Sequence, residues 1–227
     1  MNETLPRSGT VIVETRSVAD LEHWAGKVDE NTLPAGGAEF FRAVLARLHS
    51  PQGLECSARI ESILNGTRLF VAGSALANRK SVLDRLRANG IEVIAMPPEL
   101  MHADGDSANL DRWVNAVSDA YSSHKTVCAA IQQPVSSDPR VPARLCKYMT
   151  DLMEKVTLVA SVDAVFLEGG ATASGIARSL GWTPLEVIHE WSLGVVSLQV
   201  IDSRAPIVTV KPGSYDWPDV ILNSKNE

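Results

Sequence analysis

The sequence has few cysteines, fewer basic than acidic residues, and no long apolar run. Cys56, Cys128 and Cys146 are odd in number and widely spaced, which excludes a disulfide framework and a CxxC zinc site and suits the reducing cytoplasm. Lys and Arg number 21 against 27 acidic residues, and the net charge of -6 argues against binding to nucleic acid or an anionic membrane. Because no apolar stretch approaches the ~20 residues that span a bilayer and the N-terminus lacks a secretory pattern, we expect a soluble, cytoplasmic protein.

Residues with metal-ligand spacing are also lacking. The 5 histidines show no such spacing, and the acidic segment at 102–106 lacks the downstream glutamate of a calcium loop. We therefore predict no metal site. The sequence contains no legible Cys/His or Ser/His/Asp arrangement, and nothing selects Glu168 or Glu190 as a base, so the catalytic residues stay unknown.

What is present is a regular alternation of apolar and amphipathic segments over 227 residues, enough for one large core or two small ones. The patterns predict strands at 11–13, 68–72, 91–96, 126–131 and 163–167. They predict helices at 18–28, 38–48, 78–89, around 110–117, at 140–160, and from Gly170 to near Leu180. The tail carries short apolar runs at 192–200, 207–211 and 220–222. This order predicts a three-layer αβα fold with a mostly parallel sheet and a β-rich C-terminal segment.

Three turns rich in Gly and Ser follow predicted strands. The first contains Gly73 and Ser74, between a strand and a helix. In an open α/β sheet, ligands lie beyond the carboxyl ends of the strands, where helix N-termini present free N–H groups. Gly73 would let the backbone approach a ligand and Ser74 offers a hydroxyl. Taken alone, however, the turn is better explained by Ser74 or Asn78 capping the helix.

The second turn, at 167–175, again runs from a strand through glycines and hydroxyls into a helix. Gly169 and Gly170 remove side chains where a phosphate could lie against backbone amides, and Thr172 and Ser174 could add donors. The segment is neither GxGxxG nor GxxxxGK[ST], so the ligand class stays open among phosphate, nucleotide and other anions, with a plain tight turn as the alternative.

The third turn, at 210–216, follows the predicted strand at 207–211. Lys211, Gly213 and Ser214 could present an ammonium group and bare backbone to phosphates, or the turn could simply be solvent-exposed. If the strands are parallel, all three turns could face one edge of the sheet.

These segments resemble the nucleotide-binding C-terminal domain of the four-carbon acid sugar kinase family. The resemblance rests on EGGATASGIARSLG at 168–181, LGV at 193–195 and VKPGSYDWPD at 210–219. The family phosphorylates tetronate-type acids such as threonate, erythronate and 3-oxo-tetronate with ATP. Its domain has a Gly-Gly-Asp/Glu-Thr turn, a late Lys-Ser-Gly-x-Phe-Gly turn and an opening Gly-Ser turn, which here matches Gly73 and Ser74.

The resemblance implies ATP contacts from Ser74, from Gly169, Gly170, Ala171 and Thr172, and from Gly213, with Mg²⁺ accompanying the nucleotide. Gly73, Ser174, Lys211 and Ser214 are further candidates for phosphate contacts. Ala171 replaces the family's acidic residue, which puts any metal or ribose contact of that carboxylate in doubt.

The resemblance also divides the chain. Residues 1–50 resemble the end of the family's N-terminal, sugar-acid-binding domain, and 68–227 resemble the nucleotide-binding domain. Between them, 51–67 has weak periodicity, with Pro51, Gly53 and Gly66, which predicts a linker that could hold one helical turn. The acidic segment that opens the family's N-terminal domain has no match upstream of Val11. We therefore expect the ATP-binding portion of a sugar-acid kinase, inactive alone, with an apolar patch exposed where its partner domain docks and possible homo-oligomerisation. A non-catalytic nucleotide or metabolite sensor and a plain α/β interaction domain are the alternatives.

Overall fold

The computed structural model describes residues 6, 8–48, 57–73, 80–102, 106–201 and 203–223, and it divides the chain into two compact units, Met1–Gly53 and Leu54–Glu227. The first unit contains two helices, α1 (Val18–Ala25) and α2 (Ala38–Leu48). Helix α1 begins where the Ser17 side chain accepts a hydrogen bond from the Asp20 N–H, as an N-cap does. The unit is small, and its buried apolar residues among those described are Ala25 and Val44.

The second unit alternates strands and helices, as the sequence predicts. Its elements are α3 (Ser57–Asn65), β1 (Arg68–Ala72), α4 (Lys80–Ala88), β2 (Glu92–Ala95), a 3-10 helix (Pro98–Met101), α5 (Ser107–Ala120), β3 (Thr126–Ala130), α6 (Val141–Val159), β4 (Ala164–Glu168), α7 (Gly170–Ser179), β5 (Leu185–Ser192), β6 (Val195–Val200), β7 (Ile207–Lys211) and α8 (Asp219–Leu222).

The described strands form one sheet in the order β2-β3-β1-β4-β7-β6-β5. The first five strands of this order are parallel to one another, and β6 pairs antiparallel with both of its neighbours, β7 and β5. Strands β1, β3 and β4 are buried along their whole length, which explains their continuous apolar runs. The predicted mostly parallel αβα fold with a β-rich end is confirmed.

Helices cover both faces of this sheet. On one face, Ile176 of α7 and residues of α5 and α6 pack against alternate strand residues such as Leu69 and Leu167. On the other face, Leu86 of α4 and residues of α3 and α8 pack against Phe70 and Phe166, whose rings stack at 4.4 Å. Because side chains alternate along a strand, one pentapeptide supplies both cores.

Three sequence expectations differ from the structure, and one strand, β5, was not predicted. Residues 11–13 are not a strand, since they pair with no described strand and Ile12 is 95% exposed. The predicted linker at 51–67 contains α3, which buries Ile63 under the sheet. The β5 strand lies where the sequence shows little alternation, because it is an edge strand with two irregularities in its register. The run at 220–222 belongs to α8, which begins directly after Pro218.

The topology creates a switch point between β1 and β4. These strands are neighbours and parallel, yet the helix that follows β1 covers one face of the sheet and the helix that follows β4 covers the other. In such folds the chain leaves the two carboxyl ends in opposite directions and opens a crevice, which is where ligands of α/β proteins bind. The first two glycine-containing turns both begin at this crevice.

Candidate functional site

The first two turns touch one another at the switch point. Ala72 and Glu168 are paired residues at the ends of β1 and β4, so Gly73 and Gly169 leave the sheet side by side. A Cβ atom on Gly73 would lie 2.3 Å from Thr172 Oγ1 and 2.8 Å from Thr172 Cγ2. Only a glycine leaves room for the Thr172 side chain, which is 6% exposed. The structure thus brings two of the predicted turns into direct contact.

Helix α7 starts at this contact, beside Gly73. Its N-cap is Gly169, with φ of 98°, and no side chain among the described residues caps it. The first intrahelical bond runs from the Ala173 N–H to the Gly169 carbonyl, so the N–H groups of residues 170–172 have no acceptor within the helix. Gly170 is exposed, and a Cβ on it would meet no described atom within 4 Å. Such an end attracts anions through its N–H groups and its dipole.

The third turn lies beside the second because β7 pairs with β4. Residues 212–215 form a β-turn that is closed by a 3.1 Å hydrogen bond from the Tyr215 N–H to the Pro212 carbonyl. The central residues of this turn are Gly213, which is half-buried, and Ser214, which is exposed. Gly73, the second turn and the third turn therefore lie along the carboxyl edge of β1, β4 and β7, in that order.

Lys211 is buried beneath this edge. Its side chain is 0% exposed, and Nζ lies 3.0 Å from Glu168 Oε1, within an ion pair whose carboxylate is 2% exposed. The ammonium group also donates hydrogen bonds to the Tyr215 carbonyl at 2.6 Å and the Pro212 carbonyl at 3.1 Å. It stands 5.2 Å from the centre of the Trp217 ring. The proposed phosphate contact of Lys211 stays a prediction, and in this structure the ammonium group faces the protein interior.

The other predicted residues have different surroundings. Ser74 lies outside the described residues. Ala171 is exposed, and its carbonyl lies 3.6 Å from the Cys146 thiol on α6. Ser174 is one helical turn further along α7 and lines a groove of about 440 Å³ between that helix and the apolar residues of β6 and β7.

The described residues do not fit a resident magnesium ion. Within the described ranges, no group of three or more His, Cys, Asp or Glu side chains could hold a metal ion. Glu168, the carboxylate beside the glycine turn, is engaged with Lys211.

Sequence reasoning did not anticipate two features of this edge. The pairing of Glu168 with Lys211 depends on the register of β4 and β7, which places the two residues opposite each other. Gln132, just after β3, has φ of 47°, in the left-handed region that side chains disfavour. Its side chain accepts a hydrogen bond from Arg87. Two apolar strands, one ending in Glu168 and the other in Lys211, are the sequence signal that could have suggested this ion pair.

Comparison with solved structures finds the same fold in other proteins. A Haemophilus influenzae protein of family DUF1537 superposes with a TM-score of 0.63 at 16% identity, covering 92% of this chain and 51% of its own. A Bordetella bronchiseptica domain of unknown function, DUF1537, was solved as a domain-swapped dimer with bound citrate. It superposes with a TM-score of 0.58 at 18% identity, covering 91% of this chain and 50% of its own. A Salmonella typhimurium protein, described as a candidate tRNA synthase, superposes with a TM-score of 0.57 at 13% identity, covering 83% of this chain and 45% of its own.

These likenesses establish the fold. The chain spans about half the length of the structures that it matches. DUF1537 proteins are related to the four-carbon acid sugar kinases, so the likeness is consistent with the resemblance seen in the sequence. No family model and no curated protein matches the chain. The helices in the described ranges are too short or too polar to cross a membrane.

Proposed function

We propose that this chain binds ATP along the carboxyl edge of β1, β4 and β7 and serves as the nucleotide-binding part of a kinase for four-carbon sugar acids. One observation carries the proposal. The N-terminus of α7, which has two glycines and which no described side chain caps, lies at the switch point in contact with Gly73. The order of the three turns, and fold neighbours from a family related to these kinases, support the same assignment.

In this proposal the N–H groups of residues 170–172 bind phosphate oxygens, Thr172 borders them, and the turn at Gly213 and Ser214 closes the site from the side of β7. Phosphoryl transfer needs mainly positioning of the phosphates and compensation of their charge, and exposed N–H groups at a helix N-terminus do both. Magnesium would arrive with ATP. The acceptor hydroxyl and the base that deprotonates it are proposed to be bound and supplied by a second domain, in this polypeptide or another.

The first unit supports the involvement of further protein. Ile12 and Leu33 are 95% and 94% exposed, and Phe41 is 62% exposed, although they are large apolar side chains. We propose that these side chains form an apolar patch on this unit that binds a further domain. The domain-swapped Bordetella neighbour is compatible with a homo-oligomer, so we include self-association among the proposed partners, to be tested by light scattering.

Calorimetric titration with ATP and Mg²⁺ tests the proposal. The variant Gly170→Ala tests whether the phosphates bind at the N-terminus of α7. The new methyl group meets no described atom, so folding should be unaffected or slightly improved. Because it would stand where phosphate approaches the helix, we expect affinity to fall by about tenfold or more. Equal affinity in the variant would move the phosphates elsewhere, and absence of binding by the wild-type chain would overturn the nucleotide site.

A non-catalytic nucleotide or metabolite sensor is the second candidate function. Ala171 stands where the kinase family has an acidic residue, and the described residues offer no carboxylate cluster for a metal. Mixing this chain with an N-terminal sugar-acid-binding domain separates the two. A kinase would then phosphorylate threonate, erythronate or 3-oxo-tetronate, whereas a sensor would bind nucleotide without any transfer.

A further inference from the structure

The ion pair between Lys211 and Glu168 joins the two turns on either side of it. Glu168 immediately precedes Gly169 and Gly170, and Lys211 immediately precedes the turn of Gly213 and Ser214. The two residues are Cα partners in the register of β4 and β7. Each charge is therefore located at the base of one candidate nucleotide-binding turn.

The ammonium group makes a specific set of contacts with the second turn. It donates to the carbonyl groups of Pro212 and Tyr215, which are the first and last residues of that turn. The Pro212 carbonyl also accepts the hydrogen bond that closes the turn. Lys211 thus binds both ends of the turn from its buried side.

Neighbouring groups limit alternative positions for this ammonium group. Below it lies the ring of Trp217, which is 3% exposed and packs edge-on against Phe70 and Phe166. Beside it, the Tyr215 ring covers Gly194 so closely that a Cβ there would lie 2.9 Å from Tyr215 Cε2. A charged group buried this deeply is held in place by its partners, because leaving any of them unpaired is costly.

We propose that Lys211 is a positioning residue for the candidate nucleotide site. Held by Glu168, its ammonium group fixes the position of the Gly213–Ser214 turn relative to the N-terminus of α7. The inference rests on the proposed function. The sequence suggested that Lys211 contacts phosphate directly, whereas here it acts on the nucleotide through the position of the turn. Removing the lysine should displace the turn even when the protein stays folded.

The test compares Lys211→Met, Glu168→Gln and the double variant E168Q/K211M. Each single variant leaves one buried group without its charged partner, so both should be less stable in urea. The double variant removes both charges and should recover much of that stability. The matched control is Lys147→Met, which removes a lysine from an exposed ion pair with Asp151 on α6.

Two measurements separate positioning from stability alone. Hydrogen exchange should show faster exchange of the Tyr215 amide in Lys211→Met and in the double variant, beyond any change in global stability. The affinity for ATP with Mg²⁺ should fall by about tenfold in both, which corresponds to the loss of one hydrogen bond from the displaced turn. A double variant that recovers stability, slow exchange and affinity together would overturn the inference.

Failure of the proposed function would give a different result. If the wild-type chain binds no nucleotide but the Tyr215 amide exchanges faster without Lys211, the positioning role stands and the ligand assignment falls. If the wild-type chain, Lys211→Met and the double variant all bind ATP equally well, and the Tyr215 amide exchanges at the same rate in all three, the nucleotide site stands and the positioning role falls.

Discussion

The contact between Gly73 and Thr172 gives a quantitative prediction for Gly73→Ala. The added Cβ would lie 2.3 Å from Oγ1, 2.8 Å from Cγ2 and 3.0 Å from Cβ of Thr172, all well inside van der Waals contact. Gly73 directly follows the fully buried strand β1, and Thr172 belongs to the first turn of α7, so neither can easily move aside. Overpacking of this kind costs about 1–3 kcal/mol. We expect the free energy of unfolding to fall by that amount.

The assay is urea denaturation followed by far-ultraviolet circular dichroism on Gly73→Ala, Thr172→Ala and the double variant. Thr172→Ala removes two of the three close atoms, so the methyl group at position 73 should then fit with little strain. The double variant should be more stable than the sum of the single effects predicts, by about 1–2 kcal/mol. Gly170→Ala is the matched control, because its methyl group meets open space among the described atoms.

Two results would refute this reasoning. If Gly73→Ala retains the stability of the wild-type chain, the two turns do not meet as closely as described. If the effects of the two substitutions simply add, Thr172 is not what restricts position 73, and the crevice between β1 and β4 is wider than the structure implies.

Three further predictions concern residues outside the turns. Arg68→Met should lower the free energy of unfolding by about 1.5–3 kcal/mol, because the buried guanidinium group donates a 2.7 Å hydrogen bond to the Ile221 carbonyl and so holds α8 in place. Unchanged hydrogen-exchange protection of α8 in this variant would contradict this. Hydrogen bonds from Arg140 lower the pKa of Asp138 to about 2, so Arg140→Gln should raise this pKa toward 3.8 in an NMR titration. In the wild-type chain, the stabilisation that the ionised Asp138 contributes should disappear as the pH falls from about 4 to 2. Gln132→Val should destabilise the protein by about 1–2 kcal/mol whereas Gln132→Gly should not, since φ of 47° suits glycine; equal effects in urea denaturation would argue against strain there.

The part of the fold that the sequence predicts well is the part buried on both faces of the sheet. Continuous apolar runs predicted β1 and β3 to within one residue, and the apolar stripe of α6 predicted that helix to within one residue at each end. In these elements local pattern and burial agree. The edge strand β5 was missed because its exposed residues, among them Glu186 and Glu190, interrupt the apolar pattern and its register is irregular.

The candidate site was predictable in its order but not in its contacts. Glycine and hydroxyl residues after strands pointed to the three turns, because turn chemistry is local. The approach of Gly73 to Thr172 and the pairing of Glu168 with Lys211 join segments far apart in sequence, and only the strand order and register bring them together. A lysine before a turn looks the same in sequence whether its ammonium group faces solvent or the protein interior.

The central position of β1 has a consequence for synthesis of the protein on the ribosome. The strand is made early, yet its two neighbours in the sheet come much later: Arg68 bonds to Thr126, 58 residues further along, and Thr67 to Asp163, 96 residues further along. At about 5–20 residues per second, completing both neighbours takes roughly 5–20 seconds. During that interval we expect the apolar segment Leu-Phe-Val-Ala at 69–72 to stay exposed, and synonymous codons that slow translation before β4 should lengthen its exposure.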